Sequence, residues 1–257
     1  MTDTVLLNEE NNIATITLNR PDQLNSMNLE LLESLAERLK EVKESSSQVV
    51  VLTGAGKAFS AGGDVKMMLQ SSDPKDFEKV MSLIKEVITT FYQLPKITIS
   101  ALNGATAGLG LSLALASDYV IAQQDAKIAM NFIGIGLIPD GGGHFFMEQR
   151  VGTVKAKHMI WEGQMIQGEQ ALKLGLVDHI VEGELDKTVN QYTSKLTNSP
   201  LLAMIETKNI YANQNISKLE AILEAETKGQ LKMRQSKDHQ EGVQAFLDKR
   251  NPVFKGE

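Results

Sequence analysis

The chain has 257 residues and carries 26 Lys and Arg against 32 Asp and Glu, a formal net charge of −6, which leaves nonspecific nucleic-acid binding no basic face to use. With no cysteine it cannot form disulfides, thiolate metal sites or a cysteine nucleophile, and it fits the reducing cytoplasm where we expect it to work. That length suits one large domain or two small ones; no apolar run approaches the ~20 residues of a membrane span, and Met1-Thr2-Asp3 does not open a signal peptide.

Ile13, Thr15 and Thr17 alternate with Ala14, Ile16 and Leu18, which predicts a strand ended by Asn19-Arg20-Pro21-Asp22. Leu32, Leu35, Leu39 and Val42 recur at helical spacing, and Asn28 can cap that helix. Val49-Val50-Val51-Leu52 reads as a strand buried on both faces, broken by Gly54-Ala55-Gly56-Lys57. Val80, Ile84, Val87 and Phe91 lie along a second helix that Pro95 stops. Strands follow at 97–101 and 119–122, with a loop at 103–108 and a short apolar helix through Ala116 between them. A glycine-rich loop at 141–143 comes next, then helices to about residue 173 and a strand at 177–181. From about 183 onward the pattern is helical. Strands alternating with helices predict an α/β core, which we divide into 1–195 and a helical region of 196–257.

Several motifs lead nowhere. Gly108-Leu109-Gly110 and Gly134-Ile135-Gly136 lack the third glycine of a dinucleotide fingerprint. Gly110-Leu111-Ser112-Leu113-Ala114 is a loosened nucleophile elbow, but Ser112 falls inside the helix, where a buried serine bonds its own backbone. His144, His158, His179 and His239 show no metal-ligand spacing, so no metal is expected. His144 stands out only by following three glycines at a helix start.

Two loops carry more. Lys57-Ala58-Phe59-Ser60-Ala61-Gly62-Gly63-Asp64 follows a buried strand, and Asn103-Gly104-Ala105-Thr106-Ala107-Gly108-Leu109-Gly110 follows the next one. Small residues let a backbone approach a ligand closely, and two such loops side by side can aim two N–H donors at one oxygen. Tight turns for helix–strand packing would read the same way.

With Leu18-Asn19-Arg20-Pro21, Leu24-Asn25, Gly136-Leu137-Ile138-Pro139-Asp140-Gly141-Gly142-Gly143 and Glu241-Gly242-Val243-Gln244-Ala245-Phe246, these loops resemble the crotonase superfamily, the enoyl-CoA hydratase/isomerase group, from about Ile13 to Lys255. The resemblance implies a ββα spiral with a C-terminal helical trimerisation region, assembled as a homotrimer or a hexamer of paired trimers. It implies an acyl-CoA thioester substrate, with coenzyme A as part of that substrate and no separate cofactor. The oxyanion donors would be the backbone N–H groups of Gly63 and Leu109. The CoA adenine would lie near Ala61, Asp64 and Val65, and the pantetheine near Gln23 and Leu24. Lys66, Phe246 and Lys249 are further CoA contacts on this reading. In the segment 67–95, Met67, Met68 and Met81 either line an acyl pocket or fill core.

Hydratases of the superfamily use two glutamates, and the matching positions here hold Ser112 and Phe132, neither of which can titrate near neutral pH. Asp140 stands where isomerase branches carry an acid, and Ile138-Pro139-Asp140 with Gly142-Gly143 resembles the isomerase of bacterial phenylacetate breakdown. The expected function is therefore an acyl-CoA double-bond isomerase in fatty-acid or aromatic-acid breakdown, with Asp140 as the acid/base. Phe132 would supply an apolar wall that raises the Asp140 pKa. The competing structural role for Asp140 is a helix N-cap. The competing functions are a hydratase with a different acid/base set and an acyl-CoA-binding pseudoenzyme.

Overall fold

The computed structural model describes residues 3–65 and 74–257. β1 (Val5–Glu10) and β2 (Ile13–Leu18) pair antiparallel across Asn11 and Asn12, whose positive φ values of 52° and 67° make a tight hairpin turn. Ala14, Ile16 and Leu18 are buried and Ile13, Thr15 and Thr17 half-buried, the alternation of a strand with one face to the core. α1 (Leu29–Glu44) follows, capped by Asn28, whose side-chain oxygen accepts the Leu31 N–H at 2.9 Å.

The chain then climbs through three similar units. β3 (Val49–Gly54) leads to β4 (Ala58–Ser60) and α2 (Pro74–Tyr92). β5 (Ile97–Leu102) leads to β6 (Ala105–Ala107) and α3 (Leu109–Leu115). β7 (Tyr119–Gln123) leads to β8 (Lys127–Ala129), a 3-10 turn (Phe132–Ile135) and α4 (Gly143–Val151). The rest is α5 (Thr153–Glu162), β9 (Ile166–Gln167), α6 (Gly168–Leu174), β10 (His179–Val181), α7 (Leu185–Thr197), α8 (Leu201–Arg234) and α9 (Lys237–Asp248). One sheet runs β1-β2-β3-β5-β7-β10 and is parallel beyond its first pair; the other runs β4-β6-β8-β9 and turns antiparallel only at β9. This is the expected ββα spiral.

The larger sheet is covered on both faces. Val50 and Leu52 join the cluster under α1, α2 and α4, whereas Val49 and Val51 join a second cluster closed by Leu185, Val189 and Leu196 of α7 and Leu201 of α8. That explains the unbroken apolar run in β3. Two expectations need correction. β4 and β6 lie in segments read as loops, because three residues are too short to show an alternation. The strand expected over 177–181 begins at His179, since Asp178 instead accepts the Val120 N–H on its carboxylate at 2.7 Å and pairs with Arg150 at 2.7 Å. Among the described residues no helix is long and apolar enough to cross a membrane.

Asn25 ties the first turn to the spiral. It is fully buried with φ of 54°. Its Nδ2 donates to the Ala55 and Ala58 carbonyls at 2.9 and 2.7 Å, and its Oδ1 accepts the Arg20 N–H at 2.8 Å. Ser60 Oγ donates to its carbonyl at 2.8 Å. Losing the side chain removes three hydrogen bonds from buried or half-buried main-chain groups and leaves its cavity behind. Asn25→Ala should therefore cost on the order of 3 kcal/mol, read as a lowered midpoint in urea with an unchanged slope.

Candidate active site

The end of β4 and the start of α3 meet closely. Gly62 has φ of +98°, and a Cβ there would lie 2.8 Å from the Ala107 carbonyl and 3.4 Å from the Leu109 nitrogen. Only glycine permits both the dihedral and the approach. Met27 N–H donates to Gly62 O at 2.7 Å and Asp64 N–H to Met27 O at 3.1 Å, which fixes Gly63 between them. Gly108 holds the other side, donating to Ala129 O at 3.0 Å. Among the described residues neither the Gly63 N–H nor the Leu109 N–H meets an acceptor; the latter is a first-turn group with no partner inside its helix. Gly63 and Leu109 border two hollows at once.

Asp140 lines the first hollow, together with Met27, Leu32, Phe77, Val80, Met81, Ile84, Asp64, Asp76, Gln230 and Arg234. It is 4% exposed, and its Oδ1 has no hydrogen-bond partner. Burial pushes its carboxyl up to about 8; the nearby Glu226 adds to the rise, while Arg234 opposes it. The backbone, by contrast, is pinned. The Asp140 carbonyl accepts Ser112 Oγ at 2.7 Å and the Gly143 N–H at 3.1 Å. Gln230 Nε2 donates to the Ile138 carbonyl. Gly141 and Gly142 turn the chain with φ of 61° and 76°, and a Cβ on Gly141 would sit 2.5 Å from Leu109 Cδ1. Asp140 is thereby held beside the Leu109 corner.

Two expectations about this corner are corrected. Asp140 is not the cap of α4: the N-cap is Gly142, without a side-chain hydrogen bond. Ser112 does not bond its own helix; its proton goes to the Asp140 carbonyl across 28 residues.

The second hollow is lined by Ala61, Val65, Ala107, Gly108, Phe132, Ile135, Leu137 and Phe246, besides Gly63 and Leu109. So Ala61, Val65 and Phe246 come together as expected. Phe132 sits here, 3.5 Å from where a Gly108 Cβ would stand, and not on the hollow that holds Asp140. The apolar wall around Asp140 comes instead from Phe77, Val80, Met81 and Ile84. Asp64 faces the Asp140 side and pairs with Arg20 at 3.2 Å. Gln23 and Leu24 are exposed and border neither hollow, although Leu24 O accepts the Ala61 N–H at 2.9 Å. Lys249 ends α9 with φ of 54°, exposed and outside both. Lys66, Met67 and Met68 lie outside the described residues. No metal-binding group of three His, Cys, Asp or Glu occurs among the described residues.

Sequence reasoning missed Glu226, Gln230 and Arg234. They recur every fourth residue on α8 and continue the face of the buried Leu219 and Leu223. A polar stripe in line with buried leucines was the available signal.

The enoyl-CoA hydratase/isomerase family model matches residues 8–257. The chain is 46% identical over 242 residues to the Bacillus subtilis protein YhaR, itself assigned only to the enoyl-CoA hydratase/isomerase class, covering 94% of this chain and 95% of that one. It is 35% identical over 263 residues to the Escherichia coli 1,2-epoxyphenylacetyl-CoA isomerase, covering the whole of both. The crystal structure of an enoyl-CoA hydratase from Mycobacterium avium subsp. paratuberculosis superposes with a TM-score of 0.89 at 28% identity, over 98% of each chain. The chain belongs to the enoyl-CoA hydratase/isomerase family.

The raised Asp140 pKa has a consequence for stability. Between the unfolded value near 4 and the folded value of about 8, the folded chain keeps a proton that the unfolded chain releases. Stability is full below that window and falls as pH rises through it. In Asp140→Asn the fall is absent. The stability of that variant, followed as Tm, should gain on the parent from pH 4 to 8 and level off above, with a final difference in unfolding free energy on the order of 5 kcal/mol. Parallel Tm curves would refute the buried-acid account.

Proposed function

We propose that this member of the enoyl-CoA hydratase/isomerase family is an acyl-CoA double-bond isomerase with Asp140 as its acid/base. The observation that carries the reading is the Asp140 carboxyl: buried, unpartnered at Oδ1, and open to the same hollow as the Gly63 and Leu109 N–H groups. Of the other acids on that hollow, Asp64 is paired to Arg20 and Asp76 is exposed. Support also comes from the full-length relative named as an isomerase of a CoA thioester.

On this reading a 3-enoyl thioester binds with its carbonyl oxygen between the Gly63 and Leu109 N–H groups. The Asp140 carboxylate removes a proton from C2. The electron pair moves into the thioester, giving a dienolate whose oxygen the two N–H groups stabilise. Asp140, now protonated, returns the proton to C4, and the double bond ends conjugated at C2. One carboxyl and one proton suffice. Each N–H donor contributes on the order of 3 kcal/mol to the transition state. The dry wall of Phe77, Val80, Met81 and Ile84 keeps the proton affinity high and excludes water. CoA, as part of the substrate, would run through the second hollow past Ala61, Val65 and Phe246. Assembly as a homotrimer or hexamer belongs to the same proposal.

Hydration is less well supported. Ser112 has donated its only proton to Asp140 O, and Phe132 cannot hold a water. A paired assay separates the readings. A 3-enoyl-CoA should gain the absorbance of the conjugated thioester, and crotonyl-CoA should not lose it. Hydration of crotonyl-CoA with an idle first cuvette would overturn the proposal. The base must be ionised in free enzyme, so kcat/KM should rise with pH through about 8 to a plateau. Asp140→Asn should lose at least 10³-fold in kcat while holding a saturated acyl-CoA nearly as tightly as the parent, a loss of the size expected from removing the acid/base.

A further inference from the structure

Asp140 is not the only buried carboxyl at this corner. Glu226 on α8 is 2% exposed, and groups from the start of α4 fill both its oxygens. Oε2 accepts the Gly142 N–H at 2.7 Å. Oε1 accepts the His144 N–H at 3.1 Å and meets His144 Nδ1 at 2.7 Å. α4 has no side-chain cap of its own, so a carboxyl 84 residues further along the chain caps it. The groups it binds lie two and four residues past Asp140.

We propose that Glu226 is a positioning residue for Asp140: through Gly142 and His144 it holds the turn that aims the Asp140 carboxyl, and it sets a second buried carboxyl beside it. The inference rests on the acid/base role proposed above. Titratable and charged groups surround Asp140 from several elements. Glu226 and Arg234 come from α8, His144 from α4, Asp76 from α2, and Asp64 follows β4. Arg234, 5.0 Å from the Phe77 ring centroid, pulls toward the carboxylate form and opposes Glu226. Asp64 is drawn to Arg20, and Asp76 is exposed. Among the described residues only Glu226 joins burial and negative charge with hydrogen bonds to the turn itself.

The test uses the full chain with ¹³C-labelled aspartate carboxyls. The Asp140 signal is the one missing from Asp140→Asn. Its titration needs no turnover, so failure of this inference and failure of the isomerase reading are separate results. In Glu226→Gln the midpoint should fall by about one pH unit, tenfold in proton affinity, and the kcat/KM midpoint on the 3-enoyl thioester should fall with it. Glu226→Asp keeps the charge but draws it back by one methylene. There the midpoint should hold while the plateau kcat drops about tenfold at little-changed KM. A purely structural cap would lower stability in both variants and leave the midpoint alone. An unmoved midpoint in Glu226→Gln, or a full plateau kcat in Glu226→Asp, overturns the proposal. If Glu226→Gln does not fold, Glu226→Asp still decides it.

Discussion

A carboxyl with an unpartnered oxygen, closed off from water, is costly to fold around, and much of this structure follows from keeping Asp140 in that state. Its hydrogen bonds go to the main chain on either side, while the side chain is left nearly bare. Ser112 and Gly143 hold its carbonyl, Gln230 holds Ile138, and Glu226 holds Gly142 and His144. A side chain fixed by a rigid backbone keeps its aim without a hydrogen-bond partner on Oδ1. The turn must be glycine at 141 and 142 because it takes positive φ while pressed against Leu109 and Phe146. α8 must be long, since three residues of its last three turns reach back over the loop.

The spiral was largely legible because its strongest signals are local. β2 alternates, β3 is apolar throughout, and α1 shows both its stripe and its cap, so propensity and packing agree. β4 and β6 were not legible. Each has only three residues, and each is a strand only because its neighbour in the second sheet offers hydrogen bonds. The site was legible in part. The Gly63 and Leu109 corner and Asp140 came from motif resemblance, and the hollow does bring them together. Phe132 went to the other hollow, since sequence order says nothing of which side of a loop a ring will take. Glu226, Gln230 and Arg234 were missed because a polar residue every fourth position usually marks a wet helix face. Here the wet-looking stripe meets polar backbone, and tertiary contact reverses its meaning.

Ser112 shows how one small side chain shapes the corner. The small hydroxyl fits between α3 and the Asp140 loop, where a Gly143 Cβ would come within 2.9 Å of Ser112 Oγ. A glutamate at this position would need that space and would bring a second charge into a volume that already strains to hold one. The serine therefore permits the close approach of the loop, and the close approach puts Asp140 at the hollow.

The division of labour between the two buried carboxyls follows from their surroundings. Glu226 is saturated with N–H donors and has no access to a ligand; Asp140 has none on Oδ1 and opens to the hollow. Two acids in one dry corner acquire separate roles when one is bound up by the main chain and burial favours the proton on the other. The arrangement also joins α8 to the Asp140 loop. Any motion that lifts α8 from the loop removes the clamp, the repelling charge and the Gln230 tether together, because all three lie on one face of one helix. The orientation and the proton affinity of Asp140 are thus coupled, and both depend on how firmly that helix is seated.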